Sequence, residues 1–332
     1  KRGDRQEHIR DFLSAICESE SSLVVNNNAA AVLLSINGLA NGGEVIVSRG
    51  ELVEIGGSFR IPDIIDASGA MLRGVGTTNR THFQDYKNAI NPNTKLILSV
   101  HTSNYIIKGF TKKVDLSELV SLGNENNIPV MVDWGSGSFL HGIPNSPPLD
   151  IPINKLMRYK PDIITFSGDK LVGGPQSGII VGKKSIIDIF QKNTFYRTLR
   201  PDKLTIALLE EILRSYNINS FTEDNLSLSL LSSSQNSLKA RGEKVMNLIK
   251  KSKIKNFSIK LIESKVVAGS GSLPEKKIDS MAIVFEAKSE KCSALAEKFR
   301  KGKIPVVGFI KNNKFFIDLK AVLPNQLIKL SQ

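Results

Sequence analysis

Up to about residue 200, short apolar runs alternate with longer segments whose apolar positions recur at helical spacing. Runs of four to eight apolar residues bounded by turn formers read as buried strands, and the segments between them read as amphipathic helices. Strands are expected at Ser22–Val25, Glu44–Ser48, Met71–Val75, Leu96–Val100, Val130–Val132, Ile163–Phe166 and Gly178–Val181. Helices are expected at Arg5–Cys17, Ala29–Leu39, Phe59–Ser68, Thr81–Ala89, Leu116–Asn126 and Lys184–Gln191. Pro62 lies early in its segment, where a first helical turn tolerates a missing N–H. Such alternation builds β/α units around a mainly parallel sheet.

The pattern changes after the strong helix Leu204–Tyr216. A serine-rich stretch, Ser227–Ser237, leads into a basic amphipathic helix reaching about Lys251. The remainder reads strand (Ser258–Glu263), strand (Ala282–Glu286), helix (Ala294–Lys301), strand (Val306–Ile310) and strand (Lys314–Asp318). We therefore expect a large α/β domain over residues 1–216 and a small α+β domain over residues 217–332. No internal repeat or low-complexity tract interrupts either.

At 332 residues and 41% hydrophobic content, the chain can bury a substantial core. No stretch approaches the roughly 20 apolar residues of a membrane span, and no secretory leader opens the chain. Cys17 and Cys292 stand far apart, and His8, His82, His101 and His141 are scattered. Neither a metal site nor a disulfide framework is indicated, and a reducing cytoplasm is the expected compartment. The net charge of +13 is uneven, because residues 201–332 hold 23 of the 45 basic side chains but only 13 of the 32 acidic ones. Its densest patch, residues 241–260, reads either as a phosphate-attracting surface or as a solvated helix face. No aromatic interleaving accompanies it.

Candidate chemistry centres on Ser167-Gly168-Asp169-Lys170, followed by a glycine-rich turn through Gly173, Gly174 and Gly178. A lysine pinned at a strand end, out of free solvent, is what an enzyme needs to form a Schiff base with an aldehyde cofactor, since desolvation and neighbouring charge can make a lysine nucleophilic. Pyridoxal phosphate is the obvious candidate. Three upstream features agree. Val24-Val25-Asn26-Asn27-Asn28-Ala29 carries a strand into a helix whose first amides, at Asn27, Asn28 and Ala29, suit a phosphate. Asp133 ends an apolar strand, where a carboxylate can keep a pyridine nitrogen protonated. His101 follows Leu96–Val100, where an imidazole can stack on the ring. Singly these are an ordinary N-cap, a turn-forming aspartate and a structural histidine. Jointly they match the order and spacing of an aspartate-aminotransferase-like site.

Downstream, Arg197 and Arg200 stand three apart and can clamp a carboxylate or tetrahedral anion. Arg49 and Arg80, in polar loops after strands, are weaker anion candidates. No GxxxxGK[ST] or GxSxG motif is present, so neither a P-loop nor a hydrolase elbow applies.

Six motifs together identify a resemblance. SGDKLVGGPQSGIIVGKK, SRGELVEIGGSFRIPDI, VGTTNRTH, VHTSNY, DWGSGS and RTLRPDKLT closely resemble the bacterial selenocysteine synthases, the L-seryl-tRNA(Sec) selenium transferases. The loop Gly269-Ser270-Gly271-Ser272-Leu273-Pro274 matches that family's Gly-rich SLP segment. The resemblance implies a fold type I pyridoxal-phosphate enzyme converting seryl-tRNA(Sec) to selenocysteinyl-tRNA(Sec), through a dehydroalanyl intermediate, with selenophosphate as donor. It implies that Lys170 is the Schiff-base lysine and that Asp169 lies near the selenium donor, with Ser167 beside the cofactor. Arg197 and Arg200 match the arginines for the anionic donor. It also implies a homo-oligomer, at least a dimer and in the family a decamer. Two departures stand out. Family members carry an N-terminal tRNA-binding domain and a further anion-binding arginine before the point where this chain starts, so the sequence reads as N-terminally truncated. Trp134 stands where the family commonly has leucine.

Two other readings fit the residues: a paralogue performing β-elimination or transfer on a free amino acid, and a non-catalytic nucleic-acid-binding protein using the 241–260 patch.

Overall fold

The computed structural model describes residues 6–55, 59–218, 220–249, 257–269, 276–287 and 291–331. They fall into two compact units, each with its own sheet. The first gathers residues 6–141 and 149–225, and the second gathers 142–148, 226–268 and 276–331.

In the first unit the strands are β1 (Ser21–Val25), β2 (Glu44–Ser48), β3 (Glu54–Ile55), β4 (Phe59–Arg60), β5 (Met71–Val75), β6 (Thr94–Val100), β7 (Val130–Asp133), β8 (Ile163–Ser167) and β9 (Gly178–Gly182). Seven of them form one sheet in the order β1-β9-β8-β7-β6-β2-β5. The pairs β8–β7, β7–β6, β6–β2 and β2–β5 are parallel, while β9 runs antiparallel to both its neighbours. Helices α1 (Glu7–Cys17), α2 (Asn28–Ala40), α3 (Ile61–Ala67), α4 (Phe83–Ala89), α5 (Leu116–Asn126), α6 (Ile153–Met157), α7 (Lys184–Lys192), α8 (Thr194–Thr198), α9 (Lys203–Asn217) and α10 (Phe221–Asp224) complete the unit.

Strand alternation divides the core in two. Val45, Val47, Leu96 and Leu98 face a cluster with Ala31, Leu34 and Ile36 of α2. Ile46 and Ile97 face the opposite cluster, with Tyr86 of α4 and Leu119 of α5. Both faces of the inner strands are covered, which is why they read as continuous apolar runs rather than alternating ones, while the edge strand β5 is mostly exposed.

Differences from the sequence expectation are local. The segment expected as a helix from Phe59 first closes a hairpin, β3 with β4, and turns helical at Ile61. Helix α4 starts two residues later than the pattern suggests, because His82 and Asp85 form a reciprocal capping box.

The second unit contains α11 (Leu226–Ser232), α12 (Gln235–Ile249), β10 (Phe257–Val267), β11 (Lys277–Ala287), α13 (Cys292–Lys301), β12 (Phe309–Lys311) and β13 (Lys314–Asp318). Its antiparallel sheet has the order β10-β11-β13-β12. Leu238 and Val245 of α12 and Leu295 of α13 pack with Ile283, Phe285, Phe315 and Ile317 of the sheet. Residues 142–148 join this unit from mid-chain, where Asn145 Nδ2 donates to the Ser232 carbonyl at 3.0 Å. Lysines 250, 251, 253 and 255 of the basic patch and residues 270–274 of the Gly-rich loop lie outside the described residues. No described helix is long and apolar enough to cross a membrane.

Candidate active site

At the carboxyl ends of parallel strands the chain must turn outward, and side chains following β6, β7 and β8 converge there. Asp133 closes β7 and is 3% exposed. Its Oδ1 accepts from Asn28 Nδ2 at 2.8 Å and from Thr165 Oγ1 at 3.1 Å, and neither bond involves Oδ2. Burial raises the Asp133 pKa above the ordinary aspartate value, opposed by the two hydrogen bonds and by the charge of Lys170. Thr165 is the register partner of Asp133 on β8, so sheet pairing itself delivers the hydroxyl.

Lys170 lies beside this carboxylate. A Cβ built on Gly135 would stand 3.9 Å from Lys170 Nζ and 3.8 Å from Asn28 Nδ2, so the amine and the carboxamide flank one bare backbone position. The lysine turn is held by Gly173 N to Lys170 O at 3.0 Å and Gly174 N to Gly168 O at 2.8 Å. Tyr216 Oη and Asn225 Nδ2 both donate to the Val172 carbonyl, at 2.9 and 2.7 Å. Gly173 adopts φ +74°, and a Cβ there would meet Asn225 Oδ1 at 2.2 Å, so this turn needs glycine twice over. Ser167 is buried at the end of β8, and Asp169 is exposed.

The β1–α2 junction is where the sequence pattern leads one to expect an anion cradle. Asn27 caps α2 through its side chain, which accepts from Ala30 N at 2.8 Å. The Asn28 and Ala29 amides occupy the first turn, where no intrahelical acceptor exists. Asn28 does more than the sequence reading assigned it, because its side chain also joins the helix start to Asp133. Strand β9 passes so close that a Cβ on Gly178 would lie 2.0 Å from the Asn27 carbonyl oxygen.

His101 follows β6 and donates its backbone N–H to the Asp133 carbonyl at 2.9 Å. Its imidazole stacks on Trp134, with centroids 3.8 Å apart and planes 17° from parallel. Nδ1 lies 3.5 Å from Asp150 Oδ2, and Ser136 Oγ donates to the same oxygen at 2.6 Å. Sequence did not pick out Trp134, Ser136, Asp150 and Thr165 as neighbours of the His101–Asp133 cluster. Only Thr165 had a usable signal, its place two residues before Ser167 on a strand.

Arg197 lies in α8, but Arg200 lies beyond its end, with its guanidinium 5.0 Å from the Tyr196 ring centroid. Both arginines are exposed. A backbone bond from Asn26 N to Leu199 O, 2.9 Å, ties their segment to the cradle.

The L-seryl-tRNA selenium transferase family model matches residues 1–323. The chain belongs to that family. It is 42% identical over 331 residues to the L-seryl-tRNA(Sec) selenium transferase of Carboxydothermus hydrogenoformans, covering 98% of this chain and 70% of the relative. It is 44% identical over 327 residues to the same-named protein of Caldanaerobacter subterraneus, covering 97% and 70%. Among solved structures, a D-glucosaminate-6-phosphate ammonia-lyase superposes with TM-score 0.70 at 16% identity, covering 100% of this chain and 85% of that one. A Thermus thermophilus aspartate aminotransferase variant gives 0.51 at 15% identity, covering 98% and 84%. These likenesses establish the fold as type I.

Proposed function

We propose that the cluster around Lys170 carries out the selenium transfer of its family on seryl-tRNA(Sec), with pyridoxal phosphate as cofactor and selenophosphate as donor. The observation that carries this reading is the junction of Asn28, Asp133 and Lys170 around Gly135. It brings an anion-binding helix start, a buried carboxylate and an amine to one place.

The donor set fits pyridoxal phosphate. Asp133 keeps Oδ2 clear of the bonds from Asn28 and Thr165, as a partner for a ring N–H requires. The Asn28 Oδ1 atom is buried without a hydrogen-bond partner, as expected of a site built for a further donor. The amides of Asn28 and Ala29 would hold the phosphate, Asp133 the ring nitrogen, His101 the ring face and Lys170 the aldehyde carbon. When bound, the cofactor supplies an electron sink for the substrate α-carbon.

Residues of the chain then divide the remaining work. Lys170 Nζ takes the proton from the seryl α-carbon and returns it. Asp133, as an anion against a cationic ring nitrogen, holds a proton at that atom. Arg197 and Arg200 neutralise selenophosphate with planar, permanently charged donors, and Asp169 lies on the donor side of the lysine. In the net reaction the β-carbon exchanges its C–O bond for a C–Se bond, the P–Se bond breaks, and oxygen passes to phosphorus as phosphate. A dimer at minimum is part of this reading, since fold type I sites form where subunits meet.

The test is to incubate the complete protein with seryl-tRNA(Sec) and selenophosphate and to identify the aminoacyl group by mass. Selenocysteinyl-tRNA is expected. Turnover of free serine with no change in the tRNA ester would overturn the assignment.

A further inference from the structure

Arg49 and Arg80 stand outside the chemistry above, yet Arg80 lines a cleft of about 290 Å³ with Thr78, Thr102, Thr111, Lys112 and Lys113. The cleft opens at the carboxyl ends of β2, β5 and β6, on the same edge of the sheet as Asp133. Its volume is near the lower end of the ~300–1,000 Å³ range of small-group pockets.

Its charges are not balanced internally. Glu51, 4% exposed, is the acid of the cleft, and it already accepts from Val100 N at 2.8 Å and pairs with Lys113 Nζ at 2.8 Å. Among the described residues, neither Arg80 nor Lys112 has an acidic partner. The two residues are nonetheless held together by a backbone bridge, flanked by Thr81 N to Lys112 O and Lys112 N to Asn79 O, both 3.0 Å. Ser48 and Thr81 hydroxyls close the floor at 2.7 Å. The bridge fixes two exposed cations, neither paired with a described acid, at the mouth of one cleft, where both can donate to an incoming anion. Hydroxyls and cations around a preformed cleft are the donors that a phosphate and its attached ribose require.

We propose that this cleft binds a phosphate of the single-stranded 3′ end of the tRNA substrate. The proposal rests on the tRNA reading above and deepens it. Position selects between the two phosphate-bearing substrates. The segment carrying Arg80 follows β5, three strand spacings across the sheet from Asp133 on β7, roughly 14 Å. The selenium donor must touch the reacting carbon and cannot sit that far away. A polymer whose terminal ester reacts at Lys170 has phosphates at such a distance.

The experiment uses the complete, cofactor-loaded protein and a seryl-tRNA acceptor-stem RNA with or without its single-stranded 3′ end. Binding is measured by fluorescence anisotropy across a salt series. Arg80→Ala/Lys112→Ala should weaken the intact RNA roughly tenfold, as loss of charged hydrogen bonds does. The slope of log K against log salt should fall by about 0.7–1. The truncated RNA should bind both proteins alike. Lys112→Gln, which keeps every backbone bond, should show a smaller loss of the same kind. Lys87→Ala on α4 serves as the control for net charge.

An unchanged preference for the intact end in the double variant would overturn the proposal. So would a raised KM for selenophosphate with tRNA affinity unaltered. Failure of the unmodified protein to bind either RNA would instead strike the tRNA reading itself.

Discussion

Asn28 Nδ2 donates to Asp133 Oδ1 at 2.8 Å, joining residues 105 positions apart. One carboxamide thereby fixes the start of the central helix against the buried carboxylate of β7. Neither residue is exposed, so the bond is not exchanged freely with water. The helix start proposed to cradle a phosphate and the carboxylate proposed to partner a ring nitrogen are consequently set at one fixed separation.

Asp133→Ala should leave Asn28 Nδ2 and Thr165 Oγ1 without their shared acceptor. A cost of ~1–3 kcal/mol follows for each buried donor that finds no water. Urea unfolding of the cofactor-free protein measures it, and Asn28→Ala should be non-additive with it in a double-mutant cycle.

Burial raises the Asp133 pKa, so between the ordinary value of 3.8 and the raised one the folded state binds more protons than the unfolded state. Its contribution to stability is full below that ordinary value and is lost as pH rises through the raised one. The stability difference between the cofactor-free protein and Asp133→Asn should change across this window, with the wild type losing ground as pH rises. A flat difference would refute the effect.

Trp134→Leu removes the ring on which His101 stacks. An aromatic pair is worth ~0.5–1.5 kcal/mol beyond its area, so cofactor affinity should fall about two- to tenfold, with Trp134→Phe keeping most of it. Absorbance titration gives the affinity. Because Trp134 is the chain's one tryptophan, cofactor binding should also quench the intrinsic fluorescence of the unaltered protein.

Gly178→Ala would drive a methyl into the Asn27 carbonyl oxygen, to within 2.0 Å on the unrelaxed backbone. Strand and cradle must separate, at a cost of about 1–3 kcal/mol. A lower Tm together with weaker cofactor binding is expected, and a Tm loss alone would separate β9 from the cradle.

Lys170→Ala should abolish transfer and the visible absorption of a cofactor bound covalently to lysine. Arg197→Ala and Arg200→Ala should retain that absorption while raising KM for selenophosphate at least tenfold, the scale of a lost charged hydrogen bond. Steady-state kinetics and absorption spectra distinguish the two classes.

The strands of the large sheet were legible because burial on both faces leaves uninterrupted apolar runs such as Ile163–Phe166. The placing of Lys170, Asp133, His101 and the Asn27–Ala29 start at strand ends was legible for another reason. Each sits directly after such a run, and parallel strands carry their following residues to one edge. The hairpin at Phe59 and the late start of α4 were not, because each depends on a pairing or cap between residues that periodicity does not weigh.

The sequence by itself determined the strands of the large sheet, most of the helices that connect them and the residue types that close each strand, since these follow from local periodicity and turn chemistry. Tertiary structure alone decided which of those residues meet. Thr165 reaches Asp133 through strand register, Asn28 reaches it across 105 residues, and Asp150 reaches His101 from a loop without periodicity. Residues 142–148 join the second unit for the same reason: contacts between distant segments are fixed by packing, which no local pattern encodes.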